Sequence, residues 1–458
     1  MTIFTEQEAK ALLKKVLAYS KADECECGLE GSVEGNIRYA RNTVSTAGEV
    51  SDVTLAVQSS FGKRTGTATI NEFDDASLEK VVRRSEELAR LAPENPEYMP
   101  LMGPASYDSV NAWVDSTAAV TPADRAAMAE ASIAPSREAK TVAAGFLRDS
   151  KGFFAMANNK GMFAYHRATN TDFTITVRTE DGRGSGWASR DYNDTRKMNT
   201  GAATAIALKK AKASVDAREM EPGRYTVILE PAASATLIQN MARAMDQRSA
   251  DEGRSFLSAK PKPGETPAED APTNRIGEKL FDERVTLWSD PLHPDVPTPA
   301  FSSDGVPVSK TLWIDKGVVK TLPNSRYWAQ KTGVPHVPTA YSGGGLFGGG
   351  VQVIMAGGDA SLEDMIAGTR RGVLVTRTWY IRSLDPQTLL YTGLTRDGTF
   401  YIEDGEIKYP IKNFRFNESP IVMLNNIEEL GVPQRINGSL IPPMKIRDFT
   451  FSSLSDAV

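Results

Sequence analysis

Residues 222–254 read PGRYTVILEPAASATLIQNMARAMDQRSADEGR. The first part alternates: Tyr225, Val227 and Leu229 are interleaved with Thr226 and Ile228, the period of two expected of a buried or half-buried strand. Glu230 and Pro231 end it. Proline suits the first turn of a helix, where its missing N–H would have no partner anyway. Leu237, Met241, Ala244 and Met245 then recur on one helical face. A strand that feeds a helix often carries metal ligands or a nucleophile, yet the middle turns of this helix hold no His, Cys or Glu.

The rest of the chain narrows the chemistry further. At 458 residues it is too long for one ordinary core, so two or more domains are expected. A hydrophobic share of 40% and a charged share of 24% are those of a soluble globular protein. The net charge is −5 with both signs mixed along the chain, which argues against a nucleic-acid surface, because phosphate neutralisation needs a clustered basic face. No apolar run approaches the ~18 residues of a membrane span. The first residues, MTIFTEQEAKALLKK, lack the order of a signal peptide, so a cytoplasmic location is expected. Three histidines leave few routes to His-based catalysis or metal binding. Cys25 and Cys27, the only cysteines, are expected to be ordinary buried thiols, since a structural zinc site needs four ligands.

Taken in order, Thr5 and Glu8 form a capping box that opens a helix reaching about residue 20. Strands are expected at 24–30 and 36–41. A hairpin is expected from 53–59 to 65–71 across Phe61, Gly62 and Lys63. A helix over 77–92 turns Leu78, Val81, Val82, Leu88 and Leu91 inward. Residues 91–110 are proline-rich and irregular. Pro122 starts another capped helix. Strands at 141–147, 152–158, 161–168 and 171–179 precede an Ala-rich helix over 200–214. Residues 258–277 hold four prolines among charged residues and suit a surface loop. A hairpin turns at Asp315, Lys316 and Gly317, and a short helix spans 325–332. The glycine-rich run 342–350 lacks the G-K-[ST] ending of a phosphate cradle. The last third is dense in strands: 351–355, 372–381, 389–395, 399–403 and 406–410, with turns at Asp397-Gly398 and Asp404-Gly405. A helix over 419–430 and a closing strand over 444–451 follow.

His166, His293 and His336 stand apart, with no second His or acid at helical spacing, so no metal ligands are assigned. No G-x-S-x-G supports a serine nucleophile. Residues 375–383, VTRTWYIRS, are more suggestive. On a strand, Arg377, Trp379 and Ile381 share one face and Thr378, Tyr380 and Arg382 the other. Arginine and aromatic side chains beside a sheet edge suit capture of an extended peptide by strand addition, and equally suit plain sheet packing. Arg377, Trp379 and Tyr380 are the candidate peptide-binding residues.

Several stretches together resemble the TldD/PmbA, or modulator-of-DNA-gyrase, family: RYARNTVSTAGEV and FGKRTGTATINEFDDASLEKVVRRSEELA early on, SSDGVPVSKTLWIDKGVVKTL in the middle, and LVTRTWYIRSLDPQTLLYTGLTRDGTFYIEDGEIKYPIKNFRFNES late. The resemblance implies two kinds of member. One is a zinc metallopeptidase with H-E-x-x-x-H on the helix after a strand and a later Cys. The other lacks those ligands and pairs with the first. Here the motif positions fall on Gln239, Asn240 and Ala244, or one earlier on Ile238, Gln239 and Arg243, and the later Cys falls near Pro433. None is a usual zinc ligand or general base, so no catalytic residue, metal ligand or cofactor is assigned.

The expected architecture is α+β: an N-terminal α/β domain over 1–220, with a linker-like stretch at about 91–118, and a C-terminal strand-rich, curved antiparallel, barrel-like domain over 221–458. The implied role is a non-catalytic TldE/PmbA-like subunit that helps enclose unfolded peptide. Its partner would be a zinc-bearing TldD-like subunit, as a heterodimer, or a second copy, with no nucleic acid and no membrane. Two alternatives stay open. One is a homo-oligomeric hydrolase built on Asp304, Arg377, Tyr380 and Asp397; the other is a peptide-binding protein with no peptidase partner.

Overall fold

The computed structural model describes residues 3–259, 271–341 and 352–455. The glycine-rich run 342–350 and most of the proline-rich loop lie outside them.

Helix α1 (Glu6–Ala18) starts at Thr5, whose capping box with Glu8 is formed. Strands β1 (Glu24–Ala40), β2 (Thr43–Phe61) and β3 (Arg64–Ile70) follow, then α2 (Asp75–Leu91). The sequence splits β1 in two at Gly31 and Gly35, but the strand runs straight through. These glycines sit where side chains cross the sheet: a Cβ at Gly31 would fall 2.5 Å from the Phe153 ring, and one at Gly35 1.8 Å from the Arg125 guanidinium. Residue Leu91 is 76% exposed rather than inward, because α2 ends there. After an irregular stretch come α3 (Asp115–Ala118) and α4 (Pro122–Glu138), capped by Thr121 with Pro122 in its first turn. Strands β4 (Thr141–Asn158) and β5 (Phe163–Thr179) each merge two expected segments, and β6 (Ser185–Tyr192) precedes α5 (Thr200–Ala213).

These strands form one sheet in the order β3-β2-β1-β4-β5-β6. Alternation gives its faces different tasks. Odd-numbered residues of β1, β4 and β5, among them Leu29, Ile37, Leu147, Phe153 and Phe173, are buried in two clusters with side chains of α1 and α2, and of α4 and α5. The opposite face carries Glu26, Arg148, His166, Asn170 and Asp172, and it looks toward the rest of the molecule.

Strand β7 (Gly223–Leu229) leads through Glu230 into α6 (Pro231–Arg243), as the alternation and Pro231 predict, and α7 (Gln247–Asp251) follows. Next come β8 (Leu287–Ser289), β9 (Thr311–Asp315), β10 (Val318–Val319), α8 (Arg326–Thr332), β11 (Ile354–Met355) and α9 (Leu362–Ala367). The last elements are β12 (Arg371–Asp385), β13 (Leu390–Glu403), β14 (Glu406–Pro410), β15 (Phe414–Glu418), α10 (Pro420–Asn425), β16 (Ile427–Leu430), β17 (Gln434–Ile436), β18 (Ser439–Ile441) and β19 (Met444–Leu454). The helix expected over 419–430 is thus only its first part; Ile427–Leu430 pairs with β19 instead.

Strands β12, β7, β19, β15 and β13 close a barrel, because β12 pairs with β13 as well as with β7. The β7–β12 pair is parallel and the other contacts are antiparallel. The curved antiparallel sheet expected from the sequence is therefore closed, with one parallel seam. Val227, Leu229, Val375, Phe414, Phe416 and Phe451 share a buried core with Leu237, Ile238 and Met241 of α6. Ile228 points the other way, into a cluster with Met365, Leu374 and Phe400, so β7 is buried on both faces. Residues Asp397 and Gly398 do not turn the chain. They sit inside β13 with φ of 55° and 124°, and β12 loses register opposite them. Among the described residues, no helix is long and apolar enough to cross a membrane.

Candidate functional site

A cleft of about 630 Å³ opens between the polar face of the six-stranded sheet and α6. Residues Thr236, Gln239 and Arg243 line it from α6, at the three- and four-residue spacing of one helical face. Arg148, His166, Asn170, Asp172 and Asp191 line it from the sheet, Arg435 from β17, and Asn437 and Gly438 from the turn between β17 and β18. The helix is held in place at its start. The Glu230 carboxylate takes 2.7 Å bonds from Lys210 of α5, and Ser234 Oγ donates to Pro442 O at 2.9 Å.

Most of the charge in the cleft is paired. Arg148 meets Asp172 at 2.8 Å and Glu34 at 3.3 Å. Arg435 meets Asp191 at 3.2 Å and donates to Asn170 Oδ1 at 2.8 Å. Burial lowers His166 to about 4, so its ring is neutral at neutral pH. Two cleft arginines have no carboxylate partner among the described residues: Arg190 donates to Ser189 O at 2.7 Å, and Arg243, which is exposed, donates to Asn240 Oδ1.

Both registers of the zinc motif place side chains on this helix face, and the segment near Pro433 does reach it. Gln239 Nε2 donates to Ser439 Oγ at 3.0 Å and to Asn437 O at 3.3 Å. At this point of the helix face the side chains thus offer an amide and a hydroxyl bonded to each other, and Arg243 adds a fixed positive charge one turn on. This donor set does not fit a zinc ion. Among the described residues, no group of three or more His, Cys, Asp or Glu stands close enough to hold a metal. Cys25 and Cys27 are free and buried on the helix-covered face of the sheet, away from the cleft.

The profile described as the PmbA/TldA metallopeptidase C-terminal domain matches residues 222–453. The chain belongs to the PmbA/TldD family. Profiles for domain 1 and the central domain of PmbA/TldD proteins match 25–89 and 115–215. A metalloprotease of Methanothermobacter thermautotrophicus is 26% identical over 238 residues, 50% of this chain and 47% of that protein, so the match spans about half the length of this relative. TldE of Thermococcus kodakarensis superposes with a TM-score of 0.83 at 20% identity, over 97% of this chain and 99% of that one. A Bacteroides thetaiotaomicron protein named for modulation of DNA gyrase gives 0.83 at 19%, over 98% and 100%. At such identities the likeness shows the PmbA/TldD fold.

The residues singled out in VTRTWYIRS lie elsewhere, where the barrel meets the edge of the sheet. Arg377 Nε donates to Asp397 Oδ2 at 2.7 Å, and its guanidinium sits 4.8 Å from the Trp187 ring and 5.3 Å from that of Trp379. Ser185 Oγ of β6 donates to Asp397 at 2.6 Å. Strict alternation fails at Tyr380, where φ is 53°, so Trp379 and Tyr380 are both exposed, at 45% and 58%. Trp187, Arg396 and Ser185 complete this cluster; Trp187 and Arg396 were not singled out from sequence, and the tryptophan in RGSGWASRD is the one signal that could have raised them.

Asp304 joins a different group. It lies 3.8 Å from Arg326, and its charge acts on Glu26 of the sheet's polar face. His336 sits nearby, 3.0 Å from Asn324 Oδ1. Burial first, then Asp304 and Cys25, raise Glu26 to about 7 from its ordinary 4.5, against the lowering pull of Asn158 and Arg326. The folded state therefore binds more protons than the unfolded state between those two values, and stability falls as pH rises through that window. Glu26→Gln should remove this slope: the variant unfolds at higher urea than the parent at pH 8 and at nearly the same urea at pH 4. Equal midpoints at pH 8 would mean that Glu26 is ionised without cost.

Proposed function

We propose that this chain is the non-catalytic subunit of a TldD/TldE-type zinc metallopeptidase. It pairs with a zinc-bearing subunit of the same family, or with a second copy of itself, and helps enclose and bind unfolded peptide. The observation that carries this reading is the cleft-facing side of α6: Thr236, Gln239 and Arg243 look into a large cavity, and none of them can hold zinc or activate water. A cavity of this size with polar walls suits an extended peptide, bound by its main chain and so with tolerance of sequence. A cytoplasmic location and processing of peptides belong to the same proposal. The hydrolase alternative has less support. Asp397 is locked between Arg377 and Ser185, and Asp304 belongs to a separate cluster.

The test is elemental mass spectrometry on the chain purified alone, followed by peptide cleavage with and without a zinc-bearing homologue. Zinc far below one ion per chain is expected, with cleavage only in the mixture. Near-stoichiometric zinc, or cleavage by this chain alone, would sink the reading. Trp379 and Tyr380 belong to the same proposal as a peptide contact separate from the cleft: Trp379→Ala combined with Tyr380→Ala should weaken peptide binding by about tenfold, as removal of exposed aromatic anchors does.

A further inference from the structure

Arg243 stands at a junction. It lines the polar cleft of about 630 Å³ and also a second cavity of about 340 Å³, and Trp313 and Thr339 are shared by both. The second cavity is walled mainly by apolar side chains, with Met245, Leu287, Val337 and Val353 next to Trp313. Its wall also holds Asp246, whose carboxylate caps the start of α7 by accepting from Ser249 N.

A guanidinium with no acid partner among the described residues, at the boundary between a polar cleft and an apolar pocket, matches one chemical pattern closely. A carboxylate sits on the arginine, a main chain runs into the cleft, and an apolar side chain enters the pocket. We infer that this junction binds the C-terminal residue of a peptide, its free carboxylate on Arg243 and its apolar side chain in the pocket of Met245, Leu287, Val337 and Val353. This rests on the peptide-binding reading above and adds a substrate class to it: peptides or cleavage products that end in a free carboxylate after a large apolar residue. It also gives the arginine a purpose, since at the helix position that one register assigns to a zinc ligand, a cation recognises an anion in place of holding a metal.

The test uses N-acetyl-phenylalanine, N-acetyl-phenylalanine amide and N-acetyl-glycine as probes, with the full chain, by titration calorimetry. A longer peptide ending in Phe, as acid and as amide, is titrated alongside. The acid should bind about ten- to a hundredfold more tightly than the amide, the range of a charge-assisted hydrogen-bonded pair, and more tightly than N-acetyl-glycine. Arg243→Gln should reduce the acid to the level of the amide. Arg243→Lys should recover only part of the difference, because it keeps the charge but loses the two-pronged fork. Arg243 is exposed, and unchanged thermal unfolding of both variants will show that the fold is intact. Equal binding of acid and amide overturns the inference while leaving peptide binding standing. Equal binding of the phenylalanine and glycine acids overturns the apolar pocket. If neither short probe nor long peptide binds, peptide binding itself fails and the inference with it.

Discussion

Replacing Asp397 with alanine is expected to cost the fold about 3–5 kcal/mol, the usual result of removing one partner from a buried ion pair. The Asp397 side chain is 1% exposed, and it faces Arg377 at 17% and Arg396 at 23%. It also accepts the hydroxyl of Ser185, so one carboxylate ties the barrel to the edge strand of the large sheet. Without it, the Arg377 guanidinium stays packed against Trp187 and Trp379 and loses the carboxylate it faces. Urea midpoints should show the loss in Asp397→Ala. The paired change Arg377→Met with Asp397→Leu should recover much of it, because removing both charges avoids stranding either. A loss below about 1 kcal/mol in the single variant would mean that water reaches the arginines, and that the cluster is an ordinary surface pair.

Gly186→Ala should be the next most damaging change, at about 1–3 kcal/mol or more. Here β6 lies directly on α5, and an added Cβ would fall 2.0 Å from Ala207 O and 2.5 Å from Ala211 N. Those are backbone atoms in a helix, so no rotamer change can relieve the overlap and the whole helix must move. Gly66 meets α2 in the same way, 2.2 Å from Ala89 N. Gly48→Ala is the control, since nothing lies within 4 Å of its added Cβ. Thermal unfolding should separate Gly186→Ala from the parent by several degrees and leave Gly48→Ala unchanged. If the two variants melt alike, α5 yields to the sheet more readily than close packing allows.

These glycines also explain what could be read from the chain and what could not. Local signals held well: the caps at Thr5 and Thr121, the alternation from Tyr225 to Leu229, the proline that opens α6, and the turn at Asp404-Gly405 are decided within a few residues. Gly31, Gly35, Asp397 and Gly398 were misread as breaks or turns because their reason lies elsewhere in the sequence, in Phe153, Arg125 and Arg377. The helix that carries Gln239 and Arg243 was legible, since it follows from the strand and proline before it. The cleft was not. Asp191, Arg435 and Gly438 come from widely separated stretches and meet only when the barrel is seated on the sheet. The junction at Arg243 with Met245, Leu287 and Val353 was hidden for the same reason.

The closed barrel bears on the order in which the protein is made. Strand β7 leaves the ribosome early, yet its partners are β12 and β19, and β19 also pairs with β15. Until residues 444–454 have been synthesised, β7 and β15 each keep an unpaired edge, while the neighbours in the large sheet are all available once β6 is complete. Closing so long a loop is slow, and open strand edges attract other chains in the meantime. Folding during synthesis should therefore proceed in two stages separated by the translation of more than half the chain, and the interval before β19 arrives is when this protein is most exposed to aggregation.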